Sequence, residues 1–180
     1  MGGAGSAGRT QVCIDVLCAY LRMPYEPALD SPWYHDEETE VRFSITSVIS
    51  DHLRPGAPVS WQGHEFNFLR AVLRSADFAG IEVGSGRLLF SLARFRRGWT
   101  SFDGMRVTGG EVWFGGAQFA DGARVNFDNA EFSSGRVQFE GAAFEGGEVD
   151  LSKASADDCT APPVFDEWET PPPGLLLPGA

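Results

Sequence analysis

The sequence predicts a mainly β protein, a β-solenoid of short coils that is preceded by a small two-helix segment. Two observations support this fold class. Phenylalanine recurs about every 12 residues from position 66 onward, and a helical period of apolar residues is confined to the first 60 positions. A length of 180 residues with 43% hydrophobic residues fits one globular domain. We therefore divide the chain into a flexible start (1–9), a helical prelude and N-terminal cap (10–60), a repeat solenoid (61–156) and a Pro-rich tail (157–180).

Two amphipathic helices are predicted ahead of the repeats. In VCIDVLCAYLRMPY, apolar residues one helical turn apart form a stripe that ends before Pro24: Val12, Cys13, Val16, Leu17, Tyr20 and Leu21. A second stripe follows an acidic run: Val41, Ile45, Val48, Ile49 and Leu53. The acidic residues suit the positive end of the helix dipole, and Pro55 and Gly56 provide a stop. We expect a helical hairpin that exposes enough apolar surface for a further partner.

The repeat is a unit of 12 residues with several aligned columns. One column begins each unit: Phe66, Phe78, Phe90, Phe102, Phe114, Phe127, Phe139 and Leu151. A second column lies five residues further on: Ala71, Val83, Phe95, Val107, Phe119, Phe132 and Phe144. Small residues lie between the two columns, glycine recurs near the end of each unit, and Ala123 is a single insertion after such a glycine. The predicted core ladder comprises Phe78, Phe90, Phe102, Phe114, Phe127 and Phe139 together with Phe95, Phe119, Phe132 and Phe144.

Each unit reads as two very short strands joined by glycine-bearing turns. Strands of this length are not stable alone, so neighbouring units must pair edge to edge and bury their apolar residues together. If each unit forms one coil, seven steps of about 4.8 Å give a rod of roughly 34 Å. An antiparallel meander, with the glycine pairs as hairpin turns, is the alternative architecture.

The steps Phe-x-x-Ala-x-Phe, as in FDNAEF and FEGAAF, resemble pentapeptide-repeat proteins. The resemblance spans Phe66 to Leu151, and the prelude VCIDVLCAYLRMPY is similar to the segment that leads into such repeats in actinobacterial members. It implies a right-handed β-helix with four five-residue faces per coil. The unit here divides as five, five and two, which predicts a flattened or triangular coil instead. Longer relatives with membrane helices ahead of the prelude imply that this chain is a truncated or fragmentary member.

Composition argues against several classes of function. Acidic residues outnumber basic ones by 25 to 14, for a net charge of −11, which disfavours direct nucleic-acid binding. No apolar run reaches the roughly 18 residues of a membrane span. Three cysteines without a zinc or disulfide spacing, Cys13, Cys18 and Cys159, predict reduced thiols and a cytoplasmic, bacterial protein.

No catalytic, metal-binding or cofactor motif is recognisable in the sequence. The three histidines, His35, His52 and His64, have no Cys or Ser placed near them by a motif, and the Gly-Gly pairs lack a Walker lysine. The acidic clusters lack the alternating pattern of a calcium loop. We therefore expect a non-enzymatic protein without cofactor.

Charge is distributed unevenly along the predicted rod. Positions 61–100 carry an excess of arginine, and positions 101–151 an excess of acids. This asymmetry predicts a protein-docking surface with these candidate residues: Arg87, Arg94, Arg96, Arg97, Glu131, Glu140 and Glu148. Interstrand ion pairs, such as Glu131 with Arg106 or Glu148 with Arg136, are the simpler interpretation. We expect a scaffold or protein-binding module; the alternative implied by the resemblance is an acidic DNA mimic that binds DNA gyrase.

Overall fold

The computed structural model of the chain describes residues 3–25, 37–155 and 162–178. Two helices come first, α1 (Gly3–Leu21) and α2 (Glu37–Leu53). Glu37, Glu38 and Glu40 occupy the first turn of α2, where carboxylates interact favourably with the helix dipole. His35 and Cys159 of the sequence analysis lie outside the described residues.

Short parallel strands form four sheets; each of the first three coils contributes one strand to every sheet, and the fourth coil contributes strands to three of them. The first sheet contains β1 (Glu65–Asn67), β5 (Arg87–Leu89), β9 (Glu111–Trp113) and β13 (Arg136–Gln138). The second contains β2 (Val72–Leu73), β6 (Arg94–Phe95), β10 (Gln118–Ala120) and β14 (Ala143–Glu145). The third contains β3 (Ala76–Asp77), β7 (Gly98–Ser101), β11 (Ala123–Asn126), β15 (Glu148–Asp150) and β16 (Leu175–Leu176). The fourth contains β4 (Glu82–Val83), β8 (Arg106–Val107) and β12 (Glu131–Phe132).

This topology confirms the predicted β-solenoid behind two helices, and the antiparallel meander is wrong because the named strands pair in parallel. The expectation of one unit per coil is also wrong. Glu65 pairs with Arg87, which pairs with Glu111, which pairs with Arg136, so that a coil takes 22 to 25 residues. Two units therefore make one four-sided coil, and the triangular cross-section is wrong. The third sheet spans four steps of about 4.8 Å, or about 19 Å rather than 34 Å.

The first unit is shifted by two residues from the register that the sequence predicted. Phe66 pairs with Leu88 and so belongs to the column of aliphatic residues. Phe68 begins the phenylalanine column instead, since its ring stacks on Phe90 with centroids 4.7 Å apart. Phe66 and Phe68 both point inward, because residues two apart on a strand share a face.

The interior is filled by stacked phenylalanines. The first ladder contains Phe68, Phe90, Phe114, Phe139 and Phe165, the second Phe78, Phe102 and Phe127, and the third Phe95, Phe119 and Phe144. Rings of the first two ladders meet edge to face; Phe90 and Phe102, for example, are 5.7 Å apart at 87°. Phe132 lies above Val107 in the fourth sheet. Offset stacking within a ladder and edge-on contact between ladders are the favoured aromatic geometries.

Polar side chains of the helical cap bind the open backbone edge of the first coil. The Gln11 amide accepts a hydrogen bond from Glu65 N and donates one to Glu65 O, at 3.1 and 2.8 Å. Ser50 donates to Asp77 O at 2.6 Å, and Arg54 donates to Ala79 O at 2.9 Å. An unpaired strand edge is a site of aggregation. The cap therefore replaces the hydrogen bonds that a preceding coil would supply.

The predicted apolar stripes of both helices are only partly buried: Leu21, Ile49 and Leu53 are buried as predicted, and Leu17 and Ile45 pack against the core. The buried face of α1 carries Ile14, Cys18 and Leu21, whereas Val12, Cys13 and Val16 are exposed. The buried face of α2 carries Arg42, Thr46 and Ser50 besides Ile49 and Leu53, whereas Val41 and Val48 are exposed. The helices turn polar side chains inward because the surface that they cover is a backbone edge.

The Pro-rich segment over 162–178 packs onto the last coil. Phe165 stacks on Phe139 at 4.9 Å, and Trp168 meets Phe144 edge on at 6.3 Å. Its backbone also extends two sheets: Val164 bridges to Gln138, and β16 pairs with β15. These residues form a C-terminal cap rather than an unattached tail.

We expect deletion of 162–180 to lower the melting temperature and to cause self-association. The deletion uncovers the ring of Phe139 and removes the acceptors of Val149 N and Leu151 N, so that an open sheet edge and an apolar end face water. Thermal unfolding and size-exclusion chromatography measure both effects. Conversion of Pro171 and Pro172 to alanine in the intact chain is the control. A monomeric deletion variant with unchanged melting would contradict the role of the cap.

Candidate functional site

The four predicted docking arginines do not form one surface. Arg87 lies on the first sheet between Glu65 and Glu111, at 3.8 and 3.4 Å from their carboxylates. Arg96 follows β6 and pairs with Asp121 at 3.5 Å, and Arg97 is exposed beside it. Arg94 alone of the four lines a cleft on the second sheet. Ionic ladders between coils thus account for Arg87 and Arg96.

The predicted acidic residues lie on separate parts of the solenoid. Glu131 is opposite Arg106 on the fourth sheet, but Arg106 forms its ion pair with Glu82 on the other side. Glu148 is opposite Arg124 on the third sheet, so its predicted pairing with Arg136 is wrong. Glu140 is exposed at the corner after β13. The structure does not bring these three carboxylates together with the arginines.

A cleft of about 380 Å³ lies between the end of α1 and the second sheet. We call it the arginine cleft, since Arg22, Arg70 and Arg94 line it. The remaining lining residues are Met23, Pro24, Tyr25, Val72, Leu92, Gly116 and Gln118. Its volume is within the usual range of ligand sites, and it combines cationic groups with apolar walls.

Buried Arg42 builds one wall of the arginine cleft. Its guanidinium donates to Leu21 O at 2.9 Å and to Met23 O at 3.1 Å, and it lies 4.4 Å from the centre of the Tyr25 ring. Glu38 supplies the countercharge, with its Oε1 2.8 Å from Arg42 Nε. Arg42 therefore fixes the chain after α1 and positions the Tyr25 ring. Sequence reasoning missed this role because Arg42 is not part of the predicted apolar stripe of α2.

Strained backbone forms the opposite wall. Arg70 and Leu92 have φ values of 61° and 57°, at a corner where the next coils carry Gly116 and Gly141. A side chain in this left-handed region costs about 1–2 kcal/mol. Gly116 in turn makes room for Leu92, because a Cβ at Gly116 would lie 2.8 Å from Leu92 Cδ2. Strained residues of this kind cluster at functional sites.

The outer side of the helical cap is a second candidate surface. Four residues that we call the cap valines are strongly exposed: Val12 (61%), Val16 (64%), Val41 (44%) and Val48 (44%). Exposed apolar residues grouped on adjacent elements mark interaction surfaces. The predicted helical stripes contain all four valines, but the sequence did not show that these members of the stripes are exposed.

The described histidines make structural contacts. The His52 ring stacks on Trp61 at 3.9 Å, and its Nδ1 is 2.7 Å from Val59 O. His64 Nδ1 is 3.0 Å from Gln11 Oε1. Among residues 3–25, 37–155 and 162–178, no group of three or more His, Cys, Asp or Glu side chains could hold a metal ion.

Cys18 lies at the contact between α1 and the first coil. Burial raises the pKa of the Cys18 thiol to about 12 from its ordinary value of 9.0. The thiolate is the reactive form, so this thiol is inert at neutral pH. Cys13, by contrast, is exposed.

We expect the Cys18 thiol to make stability fall with alkaline pH. The unfolded chain loses this proton near pH 9.0, whereas the folded chain keeps it until about pH 12. Stability is therefore fully present below pH 9 and decreases by about 1.4 kcal/mol per pH unit above it. Urea unfolding of the wild type and Cys18→Ala at pH 8, 9 and 10 measures the effect. The difference in free energy of unfolding between the two proteins should become smaller as the pH rises. A constant difference would show that Cys18 ionises equally in both states.

Two further findings concern the chain as a whole. No helix within the described residues has the length and apolarity to cross a membrane. Comparison with models of known families, with curated proteins and with solved structures found no match.

Proposed function

We propose that the chain is a non-enzymatic repeat scaffold that binds a partner protein through its helical cap. The observation that carries this proposal is the exposure of the cap valines, while polar Arg42, Thr46 and Ser50 are buried. A helix normally buries its apolar face. Apolar faces turned to solvent on both helices are suited to a protein partner.

The rest of the described chain is consistent with a scaffold. His52 stacks on Trp61, His64 contacts Gln11 of α1, and the thiol of Cys18 is buried in the core. We also propose membership of the pentapeptide-repeat group. Its support is the inward set Phe114, Ala117 and Phe119, all fully buried, and the four-sided coil.

The DNA-mimic alternative has less support. A mimic needs a long row of free carboxylates, whereas Asp77 pairs with Arg54 at 3.2 Å and Asp128 with Lys153 at 2.9 Å. The rod is also about half the predicted length. An effect of stoichiometric protein on gyrase supercoiling would nevertheless favour the mimic over the cap-binding scaffold.

Affinity capture with matched baits tests the proposed function. The wild type and Val59→Asp, an exposed valine outside the helices, should enrich the same protein from a lysate of the encoding organism. Val16→Asp combined with Val48→Asp should lose it, because a charge on each helix prevents apolar burial. Circular dichroism checks that all three baits are folded. Equal capture by the double variant would contradict binding through the cap.

A further inference from the structure

We propose that the arginine cleft binds a short acidic segment of the partner protein, whose apolar side chains cover the neighbouring valines of α1. This inference rests on the proposed function, and it assigns the chemistry of the partner. It concerns residues that lie far apart in the sequence and meet only because the coils stack and α1 lies across the first one.

Among the described residues, the arginines of the cleft have no carboxylate as an ion-pair partner. Arg87, Arg96 and Arg106 each pair with a carboxylate of an adjacent coil. No carboxylate lines the cleft, and within the described part of the chain Arg70 and Arg94 have no ion-pair partner. Arg22 donates one hydrogen bond, from Nη1 to Asn67 O at 2.6 Å. Guanidinium groups bind carboxylates by paired hydrogen bonds, so the cleft is chemically complementary to Asp and Glu.

At this corner, the left-handed residues that carry a side chain lie in the first two coils, which line the cleft. Arg70 and Leu92 occupy the left-handed corner in the first two coils, and glycine occupies it in the next two, at Gly116 and Gly141. The fold itself would accept glycine at all four corners. Because Arg70 and Leu92 occupy this corner in spite of its unfavourable φ, we infer that the Arg70 guanidinium and the Leu92 side chain have a role in the cleft.

The cleft lies at the end of the helix that carries Val12 and Val16. These valines are one helical turn apart, and Met23 follows two residues after Leu21, the last residue of α1. Met23 is also exposed and lines the cleft. A partner that covers the valines of α1 thus reaches the arginines. Arginine, tyrosine and methionine are enriched at protein interfaces.

A short acidic segment suits the site better than a nucleic acid does. The cleft is short, because its sheet residues Val72, Arg94 and Gln118 lie on three successive coils, which span two steps of about 4.8 Å. The remainder of a chain with net charge −11 repels a long polyanion. A segment with a few carboxylates beside apolar residues satisfies both the arginines and the walls of Met23 and Leu92.

Fluorescence anisotropy with a defined peptide tests the inference on the intact chain. The probe is a labelled peptide with two leucines followed by four glutamates, and the control peptide carries glutamine in place of glutamate. We expect saturable binding of the acidic peptide alone. Arg70→Gln combined with Arg94→Gln should weaken it at least tenfold. Arg136→Gln, an exposed arginine on the first sheet, should change it less than twofold.

Several results would overturn the inference. These are equal binding of the glutamine peptide, unchanged affinity of the double variant, absence of binding, or preferential binding of a uridine oligonucleotide. Arg70→Gly, which relieves the left-handed strain, should also weaken binding and excludes misfolding as the cause. If the acidic peptide does not bind while capture of a partner protein still depends on Val16 and Val48, the inference fails and the proposed function stands. If capture is also insensitive to these valines, both fail.

Discussion

Phe114→Ala is expected to lower the free energy of unfolding by about 3–5 kcal/mol, the usual cost of removing a buried phenylalanine. Phe114 is fully buried at the centre of the first ladder. Its ring stacks on Phe90 and Phe139 at 5.1 and 4.6 Å and meets Phe102 and Phe127 edge to face at 5.7 and 6.0 Å. Removal of the ring leaves a cavity and breaks the stacking contacts with the coil before and the coil after it. Collapse is restricted because the backbone hydrogen bonds fix the spacing between coils.

Urea unfolding, followed by circular dichroism, measures this prediction. Trp99→Ala is the matched control, since Trp99 is also aromatic but lies on the outer face of β7 with 51% of its surface exposed. It should change stability by no more than about 0.5 kcal/mol. A domain of this size has about 5–15 kcal/mol of stability, so Phe114→Ala removes a substantial part of it. A cost below that of Trp99→Ala would mean that the ladder is not the principal core.

The repeat could be read from the sequence, but closure of the coil could not. A spacing of 12 residues fixes which side chains point inward, and Phe102 and Phe114 are both buried as this pattern requires. The same spacing is compatible with one or two units per coil. The choice depends on how two rings pack across the interior, and the edge-to-face contact of Phe102 with Phe114 favours two. That contact is a property of packing that no single unit contains.

The exposed valines of the helical stripes have a different physical explanation. Val16 and Val48 belong to the predicted stripes but are exposed, because a stripe marks the buried face only where a helix covers an apolar surface. The end of a solenoid instead presents backbone donors and acceptors, and Gln11 and Ser50 satisfy them. Polar residues are therefore the appropriate inward face at this position.

One feature of the sequence indicates the corner that lines the arginine cleft. In the aligned units, Gly80, Gly104, Gly116 and Gly141 share a column in which Leu92, Asn129 and Lys153 are exceptions, and the corrected register of the first unit adds Arg70. A residue other than glycine in this column means either that the backbone turns differently there or that it keeps the left-handed turn in spite of the side chain. The φ values of Arg70 and Leu92 show that the left-handed turn is kept. The contribution of Arg22 was not indicated by the sequence, because its position depends on how α1 lies on the first coil.

Gly98→Ala is expected to destabilise the chain by about 3 kcal/mol or more, at the upper end of the cost of overpacking. Gly98 begins β7 with φ 146°, and a Cβ there would lie 1.6 Å from the carbonyl oxygen of Arg74 and 2.6 Å from its carbon. The obstacle is backbone of the preceding coil, which cannot rotate away as a side chain could. Ala123 occupies the paired position in the next coil, so the requirement for glycine arises from the approach of Arg74 rather than from the strand position itself.

Gly104→Ala measures the cost of a left-handed backbone conformation at a position without the steric clash that Gly98→Ala introduces. Gly104 has φ 62°, but a Cβ there would meet no atom within 4 Å. Its replacement should therefore cost only about 1–2 kcal/mol, the left-handed penalty alone. Chemical denaturation of both variants gives the comparison, and the difference between them reports the contact with Arg74. Equal costs would mean that the coils can separate locally at this corner, and the close spacing of the solenoid would then not be what selects glycine at position 98.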